Sequence, residues 1–199
     1  MRRVFYVVNL TILIILGVYA KDGLIIEFKN LLNDPKIINQ TGTIEVAFSP
    51  NKGASQAIIK AIGEARSSIL VSAYSFTSKN IAQALLEAKK RNIKIKIILD
   101  KSQVSHKYSS SKFFAHQDFD LRIDTKHAIY HNKIMIIDNK NIITGSFNFT
   151  QSAETRNAEN ILIIRDNISL ANLYTENWWS HWNNAVSLEE FMRKKNKEV

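Results

Sequence analysis

The sequence predicts a single α/β domain built on a mixed, largely parallel β-sheet flanked by helices. Three observations carry that prediction. Between Thr43 and Asp100, strand and helix patterns alternate strictly, the mark of crossover connections on a sheet. Short apolar runs separated by turn signals continue from Leu121 to Arg165, and a long amphipathic stretch follows. The chain of 199 residues, 45% of them hydrophobic, is long enough for one domain with a full core.

Taken in order, the chain opens on Arg2 and Arg3, followed by an apolar run from Val4 to Ala20 and a return to polar sequence at Lys21-Asp22. A basic start and a short apolar stretch ending in Val18-Tyr19-Ala20 have the form of a secretory signal. A run of about 17 residues also reaches the lower limit for crossing the hydrocarbon layer, so an uncleaved anchor is the competing reading. Both place the protein outside the cytoplasm or on a membrane: periplasmic, secreted, or anchored through residues 4–20. Residues 21–42 read as a linker, with a short helix around Leu24 to Leu32 and a turn at Asn33-Asp34-Pro35.

The domain is expected over residues 43–186. Ile44, Val46 and Phe48 alternate with polar neighbours in a strand that Pro50 ends. Ala54 to Arg66 carries Ile58, Ala61, Ile62 and Ala65 at helical spacing. Ser67 to Tyr74 is a second strand. Ser78 to Arg91 is an amphipathic helix closed by Lys89-Lys90-Arg91, which suits the negative end of the dipole. Ile93 to Asp100 is a third strand, with Lys94 and Lys96 alternating against isoleucines. A basic, hydroxyl-rich loop spans Lys101 to Ser111; a short helix to Gln117 and a short strand from Leu121 to Asp124 follow it. Lys133 to Asp138 and Asn141 to Thr144 form a strand pair, Glu159 to Arg165 another strand, and Ser169 to Asn184 a long closing helix. Its stripe of Trp178, Trp179 and Trp182 is read as core packing in preference to a stacking platform for bases. Residues 187–199 are expected to be a loose, charged tail.

Composition narrows the function. There are 27 Lys plus Arg against 18 Asp plus Glu, a formal charge of +9, which favours polyanionic partners such as nucleic acid or an acidic membrane surface. The absence of cysteine excludes disulfides, thiolate metal sites and a cysteine nucleophile.

The chemistry concentrates in His131-Asn132-Lys133 and in Gly145-Ser146-Phe147-Asn148. Histidine can attack phosphorus or shuttle a proton, lysine offers a point charge to a phosphate oxygen, and the turn offers a hydroxyl and an amide. With a period of two, His131 and Lys133 project from one face of an extended segment, whereas Asp138 lies on the other face and roughly 20 Å further on. Asp138 therefore reads as a structural residue. His127 and His131, four apart and near Asp118, Asp120 and Asp124, have the components of a metal site, but that spacing serves metals on a helix and this segment leads into a strand. No metal or other cofactor is expected. Lys101, Lys107 and Lys112 follow the C-terminal end of a strand, where α/β proteins commonly bind ligands, and are candidates for polyanion contact.

His-X-Lys-X4-Asp, followed after six residues by Gly-Ser-X-Asn, resembles the signature of the phospholipase D superfamily. The resemblance extends from Ile44 to Asn184. Ala73-Tyr74-Ser75-Phe76-Thr77, Gly145 to Thr150 and Asn157-Ala158-Glu159-Asn160 look like its short, single-motif bacterial endonucleases. It implies an α-β-α sandwich and hydrolysis of phosphodiesters without metal, through a phosphohistidine. By that likeness His131 is the nucleophile in one subunit and the general acid in the other. Lys133 and Asn148 hold the non-bridging oxygens, Ser146 supports the phosphate site, Glu159 orients the histidine, and Asp138 and Gly145 are structural members of the motif.

The mechanism needs two such histidines and the chain has one His-X-Lys pair, so a homodimer that completes the site is expected. Basic charge, short length and the flanking motifs point to a nuclease acting on DNA or RNA. The alternative is a secreted phospholipase D acting on phospholipid. A non-catalytic nucleic-acid- or membrane-binding protein fits least, because the catalytic set is intact. The zinc-finger cysteines of one membrane-anchored branch are missing, and with them the likeness to that branch.

Overall fold

A computed structural model describes residues 36–107 and 109–197. The expected signal or anchor and the helix around Leu24 to Leu32 lie outside the described residues. Among those that are described, no helix is long and apolar enough to cross a membrane. Residues from Gln40 onward form one compact unit.

Eight strands make one open mixed sheet, in the order β1-β7-β6-β5-β2-β3-β4-β8. They are β1 Ile44–Ser49, β2 Ser68–Ala73, β3 Lys94–Asp100, β4 Asp120–Asp124, β5 Lys133–Ile137, β6 Asn141–Gly145, β7 Glu159–Ile164 and β8 Val186–Ser187. The helices, also in chain order, are α1 Ala54–Gly63, α2 Lys79–Lys90, α3 Ser102–Ser105, α4 Ser111–His116, α5 Gln151–Thr155, α6 Ile168–Asn184 and α7 Leu188–Lys195.

The parallel part is smaller than the strand-helix alternation suggested. Only β2–β3 and β3–β4 pair in parallel; every other neighbouring pair is antiparallel. Following those pairings across the sheet, β1 does run in the same direction as β2. The crossover through α1 nevertheless carries the chain past three places, which β5, β6 and β7 later fill as an antiparallel meander. Strand alternation sets direction, but it leaves neighbours open.

The three layers follow from period two. Ile69, Val71, Ile97, Met135, Ile143 and Ile161 face one side, where Ile58 and Ile62 of α1, Ile81 and Leu85 of α2, and Phe114 of α4 cover them. Ile98, Ile136 and Ile142 face the other, against Trp178, Trp182 and Ala171 of α6. Trp178 and Trp182 stack 5.0 Å apart, and the Trp178 indole donates to the Val71 carbonyl at 3.1 Å, so these two are core residues. Ser78 caps α2 by accepting from the Ile81 amide, and the Asn167 side chain caps α6 through Leu170.

Two stretches depart from expectation. Residues 187–195 are ordered: β8 pairs with β4, Ser187 caps α7, and Leu188 and Phe191 pack on the core, leaving the charges outside. In β1 the apolar residues point outward. Ile44, Val46 and Phe48 are 52%, 54% and 51% exposed, while Ala47 packs inward. Helix α6 covers β2, β4, β5 and β6 on that face, and the edge strand carries an open apolar stripe.

Candidate active site

One edge of the sheet gathers the candidate residues. The C-terminal ends of β2, β3, β4 and β6 meet the N-terminal ends of β5 and β7 there, as the registers Ala73↔Lys133 and Gly145↔Ile161 require. His131 precedes β5, and its neighbour Asn132 accepts from the Tyr74 amide at 2.8 Å, which extends the β2–β5 ladder to the His131–Lys133 pair.

His131 and Lys133 do project together. The Lys133 Nζ lies 3.0 Å from His131 Nδ1 and donates to the His131 carbonyl at 2.8 Å. Lys133 is buried whereas His131 is exposed, so the ammonium sits beneath the imidazole. Burial pushes Lys133 below the ordinary lysine range, and the charge of Glu159 opposes that shift. The Tyr74 ring closes the pair on a third side, 4.5 Å from the His131 ring centroid and 5.3 Å from the Lys133 Nζ. The sequence placed Tyr74 in a family-like motif without a role; its place one residue beyond β2, opposite Asn132, was the available signal.

The turn after β6 supplies the rest. Gly145 has φ 148°, and a Cβ there would lie 2.2 Å from the Asn160 carbonyl oxygen, so glycine is what lets β6 and β7 approach at this point. The Ser146 amide donates to that same carbonyl at 3.1 Å, and the Ser146 Oγ accepts from the Asn160 backbone and side-chain nitrogens at 3.1 and 3.3 Å. Ser146 thus builds the turn that carries Asn148. The Asn148 Oδ1, in the turn that follows β6, is buried and without a hydrogen-bond partner among the described residues.

Glu159 reaches the same edge, but it makes no hydrogen bond to His131 among the described residues. Its Oε1 accepts from the Asn157 side chain at 3.1 Å. Its influence on the pair runs through charge, toward Lys133.

Asp138 is at the far end of β5. Its carboxylate accepts from the amides of Arg66, Ser67 and Ser68 at 2.9, 2.7 and 3.0 Å and from the Ser67 hydroxyl at 2.8 Å. Burial works against its charge, but donation from Ser68, Ser67 and Arg66 outweighs that and holds the carboxyl below the usual aspartate range. It pins the α1–β2 connection and does not touch the histidine.

The loop lysines separate. Lys107, with Lys79, His106, Thr77, Gln151 and Ser152, lines an open cavity of about 840 Å³ in whose wall no carboxylate stands among the described residues. This cavity adjoins the site through Phe149, whose carbonyl accepts from the amides of Thr77 and Ser78. Lys101 turns away, donating to the His127 carbonyl at 2.9 Å. Lys112 lies exposed on α4.

Comparison with known proteins gives concordant results. Residues 58–182 match the family described as cardiolipin synthase, PLD-like domain. A phospholipase D of Rickettsia prowazekii (strain Madrid E) is 42% identical over 137 residues, covering 69% of this chain and 66% of that protein. The chain therefore spans about two thirds of that relative's length. A phospholipase D of Rickettsia felis is 37% identical over 176 residues, 82% of this chain and 86% of that protein. Among solved structures, Nuc from Salmonella typhimurium, a phospholipase D family member, superposes with a TM-score of 0.69 at 38% identity, over 72% of this chain and 95% of its own.

Proposed function

Because this chain belongs to the phospholipase D superfamily of phosphodiesterases, we propose that it hydrolyses phosphodiesters through a phosphohistidine on His131, without a metal, and that its substrate is nucleic acid. The observation that carries the reading is the Lys133–His131 contact at 3.0 Å on the edge where Asn148 also stands.

The resting contact also says what must happen first. With the Lys133 ammonium donating to Nδ1, the ring hydrogen resides on Nε2 and that nitrogen has no free lone pair. An incoming phosphate draws Lys133 onto a non-bridging oxygen. Nδ1 then takes the hydrogen and offers it to Glu159, and Nε2 is free to attack. The P–N bond forms as the P–O bond to the leaving group breaks, and the partner subunit's imidazolium delivers its proton to the leaving oxygen. The resulting neutral imidazole then deprotonates a water that attacks phosphorus, breaking P–N and restoring both histidines. Lys133 and Asn148 meet the charge that develops on the non-bridging oxygens.

One motif per chain makes the dimer part of the mechanism. The exposed stripe of Ile44, Val46 and Phe48 supports it, since β1 ends beside Glu159 in the register Ser49↔Glu159. The net charge of +9 and the open cavity lined by Lys79, Lys107 and several hydroxyl and amide side chains favour a polynucleotide. A second reading, hydrolysis of phospholipid head groups, is favoured by the rickettsial relatives named phospholipase D.

One assay separates these. The purified protein in excess EDTA is given plasmid, single-stranded DNA, RNA and phosphatidylcholine vesicles. Nucleic acid is cut, His131→Ala abolishes cutting, and activity falls steeply with salt. Cleavage of lipid with nucleic acid left intact overturns the nuclease reading in favour of the second. Activity lost in EDTA and restored by added metal overturns the metal-free mechanism.

A further inference from the structure

A second cluster stands on the same sheet edge, at the end of β4, and catalysis does not use it. Asp124 is fully buried. His127, three residues on, places its ring Nδ1 3.1 and 3.0 Å from the two carboxylate oxygens, and its amide donates to Oδ1 at 3.1 Å. The last turn of α6 brings in His181, whose ring centroid lies 5.1 Å from that of His127 and 5.2 Å from that of Tyr130.

The donor atoms of Asp124, His127 and His181 all lie within 4.8 Å of one another. Among the described residues, neither ring nitrogen of His181 has a hydrogen-bond partner, and no lysine or arginine forms an ion pair with Asp124. The nearby Lys101 ammonium is spent on the His127 carbonyl instead. Among these residues the Asp124 charge is met by no lysine or arginine, only by the His127 ring at 3.0 Å with His181 beside it, an arrangement that a cation shared among the three would complete.

We propose that Asp124, His127 and His181 bind a divalent transition-metal ion of the zinc class, at a structural site separate from His131. Two imidazoles and one carboxylate suit zinc and its neighbours, whereas magnesium and calcium prefer all-oxygen shells. Bonds of about 2.0–2.2 Å at tetrahedral angles set ligand atoms roughly 3.3–3.5 Å apart, so side-chain rotations that close about an ångström complete the set, with water in the fourth position. The ion clamps α6 to the β4–β5 connection. That connection includes Tyr130, whose amide donates to Asp100 at 2.7 Å and whose hydroxyl bonds Ser72 at 2.6 Å, immediately before His131. The pairing of Asp124 with His127 was within reach of the sequence. His181 was not, because only the fold brings it there, and His131 belongs to Lys133.

The full chain, stripped with chelator and dialysed, is titrated with Zn²⁺ by calorimetry and with Co²⁺ by visible absorption. The expected result is one ion per chain, a tetrahedral Co²⁺ spectrum, and a melting temperature higher by roughly 5–10 °C at a hundredfold excess over Kd. X-ray absorption at the zinc edge should show two imidazoles plus oxygen ligands in the wild-type protein, which requires no variant to fold. His181→Ala and the double variant His127→Ala/His181→Ala should lose the ion, and His116→Ala and His131→Ala should keep it. Three results overturn the proposal: no stoichiometric binding by the wild type, binding that survives the double variant, or binding that disappears in His131→Ala and so belongs to the catalytic centre. Hydrolysis by the stripped protein reports on the catalytic reading separately, since none of these three ligands touches the phosphate.

Discussion

Asp138→Ala separates the structural from the proposed catalytic members of the His-X-Lys-X4-Asp motif. In the wild type the Asp138 carboxylate accepts from three backbone amides and one hydroxyl at 2.7–3.0 Å. A buried hydrogen bond to a charged group contributes about 1.5–3 kcal/mol. Asp138 is only half-buried, and water can replace it, so each bond is discounted to under about 1 kcal/mol. The variant should therefore lose roughly 3 kcal/mol, and its melting temperature should fall by about 6–12 °C. Because the folded carboxyl titrates below its unfolded value, the stabilisation is fully present above the unfolded pKa and is lost as pH falls through the folded one. The gap between wild type and variant should be constant near neutrality and close below about pH 4. His131 is roughly 20 Å away along β5, so kcat at 25 °C should stay within about threefold. Thermal melts by circular dichroism, paired with initial rates on folded protein, measure both. A variant that melts like the wild type but has lost most of its activity refutes the structural assignment.

Three further substitutions probe other parts of the account. Lys133→Met keeps the buried stem and removes the charge: kcat should drop by about 10²–10³ with no loss of thermal stability, and a rate within tenfold of wild type would remove Lys133 from the phosphate. In Gly145→Ala the new Cβ would lie 2.2 Å from the Asn160 carbonyl at φ 148°, so the urea midpoint should fall by the equivalent of about 2 kcal/mol or more; an unchanged midpoint contradicts the close approach. Phe48→Asp places a charge in the open stripe of β1 and should give a monomer by analytical ultracentrifugation, inactive at nanomolar concentration and recovering as concentration rises. A fully active Phe48→Asp dimer would move the interface elsewhere.

The candidate residues that the fold brings to one edge were legible because they are local in sequence. His131 and Lys133, two apart on an extended segment, project together, and Gly145 to Asn148 lie in the turn that follows β6. Long-range relations were not legible. Alternation in β1 is equally compatible with either face, and its apolar side turned outward because α6 covers the other end of the sheet. Strand order was hidden in the same way, since β5, β6 and β7 enter between β1 and β2 only after the α/β half is complete. The ordered tail was missed because Leu188 and Phe191 are a sparse apolar pattern among charges. Glu159 was placed on the imidazole by likeness, whereas in the single chain Asn157 holds it. Tyr74 and His181 were given no role for a common reason: each matters only through what the fold sets against it.

The central claim is that His131 becomes covalently phosphorylated. Single-turnover reaction with a radiolabelled phosphodiester in excess EDTA, quenched in alkali where phosphohistidine survives, followed by peptide mass spectrometry, tests it most directly. A substrate-derived adduct should appear on the His131 peptide, form and decay at rates consistent with turnover, and be absent from His131→Ala. Turnover with no adduct on His131, or an adduct on another residue, would contradict it.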